Sequence, residues 1–105
     1  VSGSLTGFAR KSIRQIHELS SRYNGRDGRH ADKLMRLIEK HVEEIKSLRE
    51  KGDPHYAVEV GDLLVLCHEL LLEDKKDADD ILDICYGRYK SKLKELLDED
   101  IKAGR

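Results

Sequence analysis

The chain has no tryptophan, one proline and one phenylalanine in 105 residues, and aromatic residues make up 5% of it. A β-sandwich would need far more aromatic side chains and turn-forming proline, so that class is poorly supplied. There are two cysteines, Cys67 and Cys85, both inside helical patterns, with no metal-ligand spacing and no second pair. A disulfide framework is therefore not expected, and a reducing, cytoplasmic setting fits. No apolar run approaches the ~20 residues needed to span a bilayer, and the N-terminus lacks the apolar stretch of a signal peptide. Charge of one sign is lacking too. The net charge is −1 and the pI near 6.6, which gives no overall positive surplus to draw the protein to nucleic acid or an anionic membrane.

What the chain has is charge of both signs, at 39% of its residues, on a pattern suited to helices dressed in Lys and Glu. Residues 1–105 read as one all-α domain, a compact four-helix bundle, with residues 1–4 outside the packed part. A chain this short buries a modest core, so self-association as a homodimer or homotetramer is expected. The first helix is predicted from about Leu5 to Tyr23 behind Ser4 or Thr6 as N-cap, because Leu5, Phe8, Ile13, Ile16, Leu19 and Tyr23 recur at helical spacing. "NGRDGRH" ends it with a polar loop whose two glycines suit left-handed backbone angles. The second helix is predicted over residues 30–50. It stops at "KGDP", where Gly52 is the C-terminal cap, Asp53 the next N-cap and Pro54 the first residue of the third helix. So short a join makes helices two and three antiparallel neighbours. The third helix runs to about Glu73, "EDKKD" turns the chain, and Asp77 caps a fourth helix that extends to about Asp98.

The third helix is apolar nearly all round, which marks it as central. Yet it carries Glu59 and Asp62, about 60° apart on one face, with Leu66 and Leu70 within about 20° of Glu59. The second helix repeats the anomaly: His41 projects from the middle of its apolar arc, with Glu44 one turn later. A carboxylate left unpaired on such a face is expensive, so a cation, a paired base or a water-filled cleft is expected there. Because the two helices are joined tightly, His41, Glu44, Glu59 and Asp62 can face one another. Three carboxylates favour Mg²⁺ or Mn²⁺, and the imidazole tilts the choice toward Mn²⁺. The ordinary alternative for His41 is a core histidine hydrogen-bonded to a neighbouring carboxylate.

"EKGDPHYAVEVGDLLVL" resembles the MazG-like and phosphoribosyl-ATP pyrophosphatase superfamily of all-α nucleoside triphosphate pyrophosphatases. The family pattern is a helix with E-x-x-E, a short turn, then E-x-x-D and an apolar run. "EVGD" supplies the second half as Glu59 and Asp62, and "LLVL" follows. With the Gly-Asp turn in register, Glu44 matches the second glutamate of the first half and His41 stands in place of the first. "YGRYKSK" is similar to the family's closing aromatic and basic segment, and the resemblance covers about residues 31–95. It implies an oligomeric helical bundle that cleaves a nucleoside triphosphate to the monophosphate and pyrophosphate. Glu44, Glu59 and Asp62 would be metal ligands and catalytic acids, and His41 a substituted ligand. The imidazole leaves the site one negative charge poorer and less suited to hard Mg²⁺.

On the fourth helix Leu82, Tyr86, Tyr89, Leu93 and Leu96 form an apolar stripe bordered by Arg88 and Lys92, a pair able to clasp a triphosphate. Either cation alone is better accounted for as a snorkelling surface residue. "NGRDG" is not a P-loop, since it lacks the Lys-Ser/Thr ending and a preceding strand. His17, His30, His55 and His68 show no spacing that marks a site. Two other functions stay open: a non-catalytic helical dimerisation or regulatory protein that has lost the full acid set, and a ferritin-like carboxylate site for iron or manganese, where His-x-x-Glu inverts the usual order.

Overall fold

In a computed structural model that describes residues 7–104, with side chains from residue 11 onward, the chain forms four helices and, among the described residues, no strand. They are α1 (Gly7–Asn24), α2 (His30–Glu50), α3 (Tyr56–Glu73) and α4 (Ala78–Lys102). Leu5 and the expected N-caps Ser4 and Thr6 lie outside the described residues. α3 is the central element. It packs along α2 and also touches α1 and the start of α4, whereas among the described residues the backbone of α4 closely approaches neither α1 nor α2.

The α2–α3 join is closed by backbone bonds. Asp53 N–H donates to Leu48 O at 2.9 Å and Gly52 N–H to Arg49 O at 3.1 Å, the paired bonds of a Schellman motif, with Gly52 at φ 70°. Asp53 then caps the next turn, its Oδ1 accepting from His55 N–H at 2.9 Å. Pro54 does not open α3 as expected. Tyr56 N–H and Ala57 N–H bond three residues back, to Asp53 O and Pro54 O, so a tight turn leads in. The α-helical pattern starts with Glu59 N–H to His55 O.

The α3–α4 join repeats the Schellman bonds, Lys76 N–H to Leu71 O at 2.8 Å and Lys75 N–H to Leu72 O at 3.0 Å, but places Lys75 at φ 58° where glycine is usual. Asp77, extended at ψ 120°, accepts from Asp80 N–H and caps α4. In the α1–α2 loop only Gly28 is left-handed, at φ 77°. Gly25 is needed for a different reason: a Cβ there would stand 2.5 Å from Ser21 O.

The expected compact bundle is not what forms. The α3–α4 join sends α4 away from α2, and past Cys85 every described residue of α4 is exposed. The radius of gyration is 17.3 Å, against about 13 Å for a compact chain of this length. The surface is 8322 Å², against about 6,000 Å² for a compact monomer of this mass. Ile13, Leu34 and Ala78 are the only buried apolar side chains among the described residues, and of them only Leu34 is fully so; all lie at the end of the hairpin away from "KGDP".

The two joins make opposite predictions. Gly52→Ala forces a Cβ into left-handed backbone and is expected to cost about 1 kcal/mol. Lys75→Gly relieves that strain at the matching position and is expected to gain roughly 0.5 kcal/mol. Urea unfolding at unchanged m-value measures both.

Candidate functional site

The antiparallel register of α2 and α3 brings His41 opposite Glu59. His41 Nε2 stands 3.3 Å from Glu59 Oε2 and 3.9 Å from Asp62 Oδ2. Ligand atoms of His41, Glu44 and Glu59 all lie within 4.8 Å of one another. His41, Glu44 and Glu59 are half-buried, while the Asp62 side chain is 56% exposed and opens the cluster to solvent. His55 adds a second imidazole, with Nε2 3.5 Å from Glu59 Oε1.

The direction of the His41 ring decides what this cluster can do. Its Nδ1–H donates to Leu37 O at 2.8 Å, one helical turn back. In the neutral ring the lone pair is then on Nε2, aimed at two carboxylates. Lone pair against carboxylate is repulsive, so the arrangement becomes attractive only with a proton or a metal ion between them. Glu59 Oε2, shielded from solvent, has no hydrogen bond among the described residues and only His41 Nε2 as an ion-pair neighbour there, at 3.3 Å. A backbone carbonyl fixing the far ring nitrogen is also what metal-ligating histidines use.

Arg88 and Lys92 are not brought to this cluster within one chain. They lie on the exposed part of α4 around a shallow pocket with Gly87, Tyr89, Ser91 and Glu95, and Lys92 Nζ is 3.8 Å from Glu95. Among the described residues the backbone of α4 does not closely approach α2.

A second cluster carries residues that spacing alone did not single out. His17 Nε2 from α1 and His30 Nδ1 from the start of α2 both meet Glu73 Oε2 at the end of α3, at 3.0 and 2.7 Å. A carboxylate only accepts, so both rings donate. His30 then accepts at Nε2 from the Ser20 hydroxyl at 3.0 Å, and Ser20 accepts from Asn24 Nδ2. Ser20, His30 and Glu73 thus follow the order of a hydroxyl–imidazole–carboxylate relay. Ser20, however, sits within α1, whose amides are engaged in the helix, so α1 itself offers no backbone pair to hold an oxyanion. The signal that locates this cluster is the register itself: the antiparallel pairing that sets His41 beside Glu59 also sets the first residue of α2 beside the last turn of α3. One turn before Glu73, Glu69 is buried at 4% exposure, and its Oε1 finds no partner among the described residues.

No family model matches the chain, and no curated protein or solved structure is found similar to it.

The hydrogen bond from His17 is the largest influence on Glu73 and holds its carboxyl below the ordinary value of 4.5; partial burial opposes this and the bond from His30 reinforces it. A lowered carboxyl contributes stability that is complete above its unfolded pKa and is lost as pH falls through its folded value. Unfolding followed from pH 7 to about pH 3 is therefore expected to show an acid-side loss that Glu73→Gln makes shallower.

Proposed function

We propose that this chain is a divalent-metal-dependent nucleoside triphosphate pyrophosphatase, which converts the triphosphate and water to the monophosphate and pyrophosphate. The observation that carries this is the convergence of His41, Glu44 and Glu59 donors within 4.8 Å, beside the solvent-facing Asp62. The resemblance of "EVGD" and its apolar run to the MazG-like superfamily supplies the reaction. The donor set fits a divalent cation: Glu59 has a shielded oxygen without a hydrogen bond among the described residues, and His41 turns a lone pair toward it. His41, Glu44, Glu59 and Asp62 would hold Mg²⁺ or, favoured by the imidazole, Mn²⁺. Such an ion offsets phosphate charge, polarises the α-phosphorus and acidifies a bound water. Asp62 is the acid placed to meet water or substrate, because it alone of the four is largely exposed.

Arg88 and Lys92 complete the reading as triphosphate-binding cations supplied by a second copy of the chain, in a homodimer or homotetramer. The apolar stripe of α4 favours this arrangement. Leu82, Tyr86, Tyr89, Leu93 and Leu96 alternate at four- and three-residue steps, the spacing of a helix–helix seam. Tyr89 is 70% exposed and Leu93 58%, so most of the seam lies uncovered in one protomer. A second reading, a non-catalytic helical dimerisation protein, is favoured by His41 itself, since a protonated imidazole can pair with Glu59 without any metal.

Asp62→Asn keeps shape and removes a ligand charge. It is expected to weaken Mn²⁺ binding tenfold or more, about 1.4 kcal/mol, and to abolish pyrophosphate release. The apo fold should change by less than about 0.5 kcal/mol. His41→Glu is expected to strengthen Mg²⁺ binding. Titration calorimetry with a pyrophosphate-release assay checks both, and a melting temperature indifferent to millimolar Mg²⁺ and Mn²⁺ would hand the protein to the second reading. In light scattering the wild type is expected as a dimer or tetramer, and the double variant Tyr89→Glu with Leu93→Glu as a monomer.

A further inference from the structure

Glu73 holds two imidazoles from two other helices on a single oxygen, at the end of the α2–α3 hairpin away from "KGDP". His30 is 5% exposed, and the His17 and His30 rings stack with centroids 5.7 Å apart and planes at 27°, so they flank Glu73 side by side. We infer that His17, His30 and Glu73 form a second metal site, which takes a late first-row divalent ion, Zn²⁺ above all.

The donor chemistry separates it from the first cluster. Two imidazole nitrogens and one carboxylate suit Zn²⁺, whereas three carboxylates and one imidazole suit harder ions. The dimensions agree. Ligands at about 2.0–2.1 Å around a tetrahedral ion stand about 3.3 Å from one another. The three donor atoms lie within 4.8 Å of one another, and the contacts of 3.0 and 2.7 Å would open by about 0.3 and 0.6 Å around the ion. The protons balance without release: each neutral ring keeps one proton and moves it to its far nitrogen. For His30 that nitrogen is Nε2, which then donates to Ser20 Oγ at 3.0 Å. Ser20, steadied by Asn24, is thus a ready outer partner for a ligating histidine. The buried Glu69, one turn from Glu73 with an oxygen unpartnered among the described residues, independently points to positive charge at this end. Bound there, the ion ties α1, α2 and α3 together beside a very small apolar core, the usual use of structural zinc in small domains.

The test uses the full chain, stripped of metal and titrated with Zn²⁺ by calorimetry and thermal melting, in the Asp62→Asn background that weakens the first cluster. One Zn²⁺ per chain and a melting temperature raised by several degrees are expected, and Co²⁺ in its place should show the visible absorption of tetrahedral coordination. His17→Gln then separates a metal site from a hydrogen-bonded clasp. The glutamine amide still donates to Glu73, so the apo melting temperature should hold, while Zn²⁺ affinity falls at least tenfold. The proposal is overturned if Asp62→Asn binds no Zn²⁺, or if His17→Gln leaves both stoichiometry and thermal shift unchanged.

Discussion

The register of α2 against α3 is the constraint on which the rest depends. It is set by four residues, "KGDP", whose Schellman bonds and Asp53 cap leave the chain one way to reverse. With that turn fixed, His41 meets Glu59 near one end of the pair and His30 meets Glu73 near the other. A slip of a single residue would rotate every α3 side chain by about 100° and dissolve both clusters. The polar chemistry of the protein is thus a by-product of one turn held mostly by main-chain bonds.

Much of this was legible in the chain, for local reasons. α2 falls on residues 30–50 because glycine and proline punctuate it at one end and a glycine-containing loop at the other. The inward placement of His41 and Glu59 followed from helical periodicity and the brevity of the join. Less legible was whatever depends on three dimensions. α3 begins at Tyr56 because a tight turn intervenes after Pro54. α4 leaves the bundle because a left-handed lysine and an extended aspartate aim it outward, and neither Lys75 nor Asp77 advertises a direction. The His17–His30–Glu73 group joins residues from three helices, so no sequence spacing could announce it.

α4 and the bundle make a contrast in how apolar surface is used. Most aliphatic residues of α3 are half-covered, Val58 and Leu64 excepted, whereas the tyrosines and leucines of α4 beyond Cys85 lie in water. A monomer pays for that exposure with little core to offset it. In the proposed dimer a second copy would cover the stripe and bring basic side chains from outside the protomer toward the acidic cleft.

The bond from His41 to Leu37 O reaches no farther than one turn of its own helix. The ring is therefore aimed from within α2 and owes its direction to no atom of α3. Glu59 faces an imidazole whose orientation is a property of α2, so α2 supplies the template and α3 the variable half.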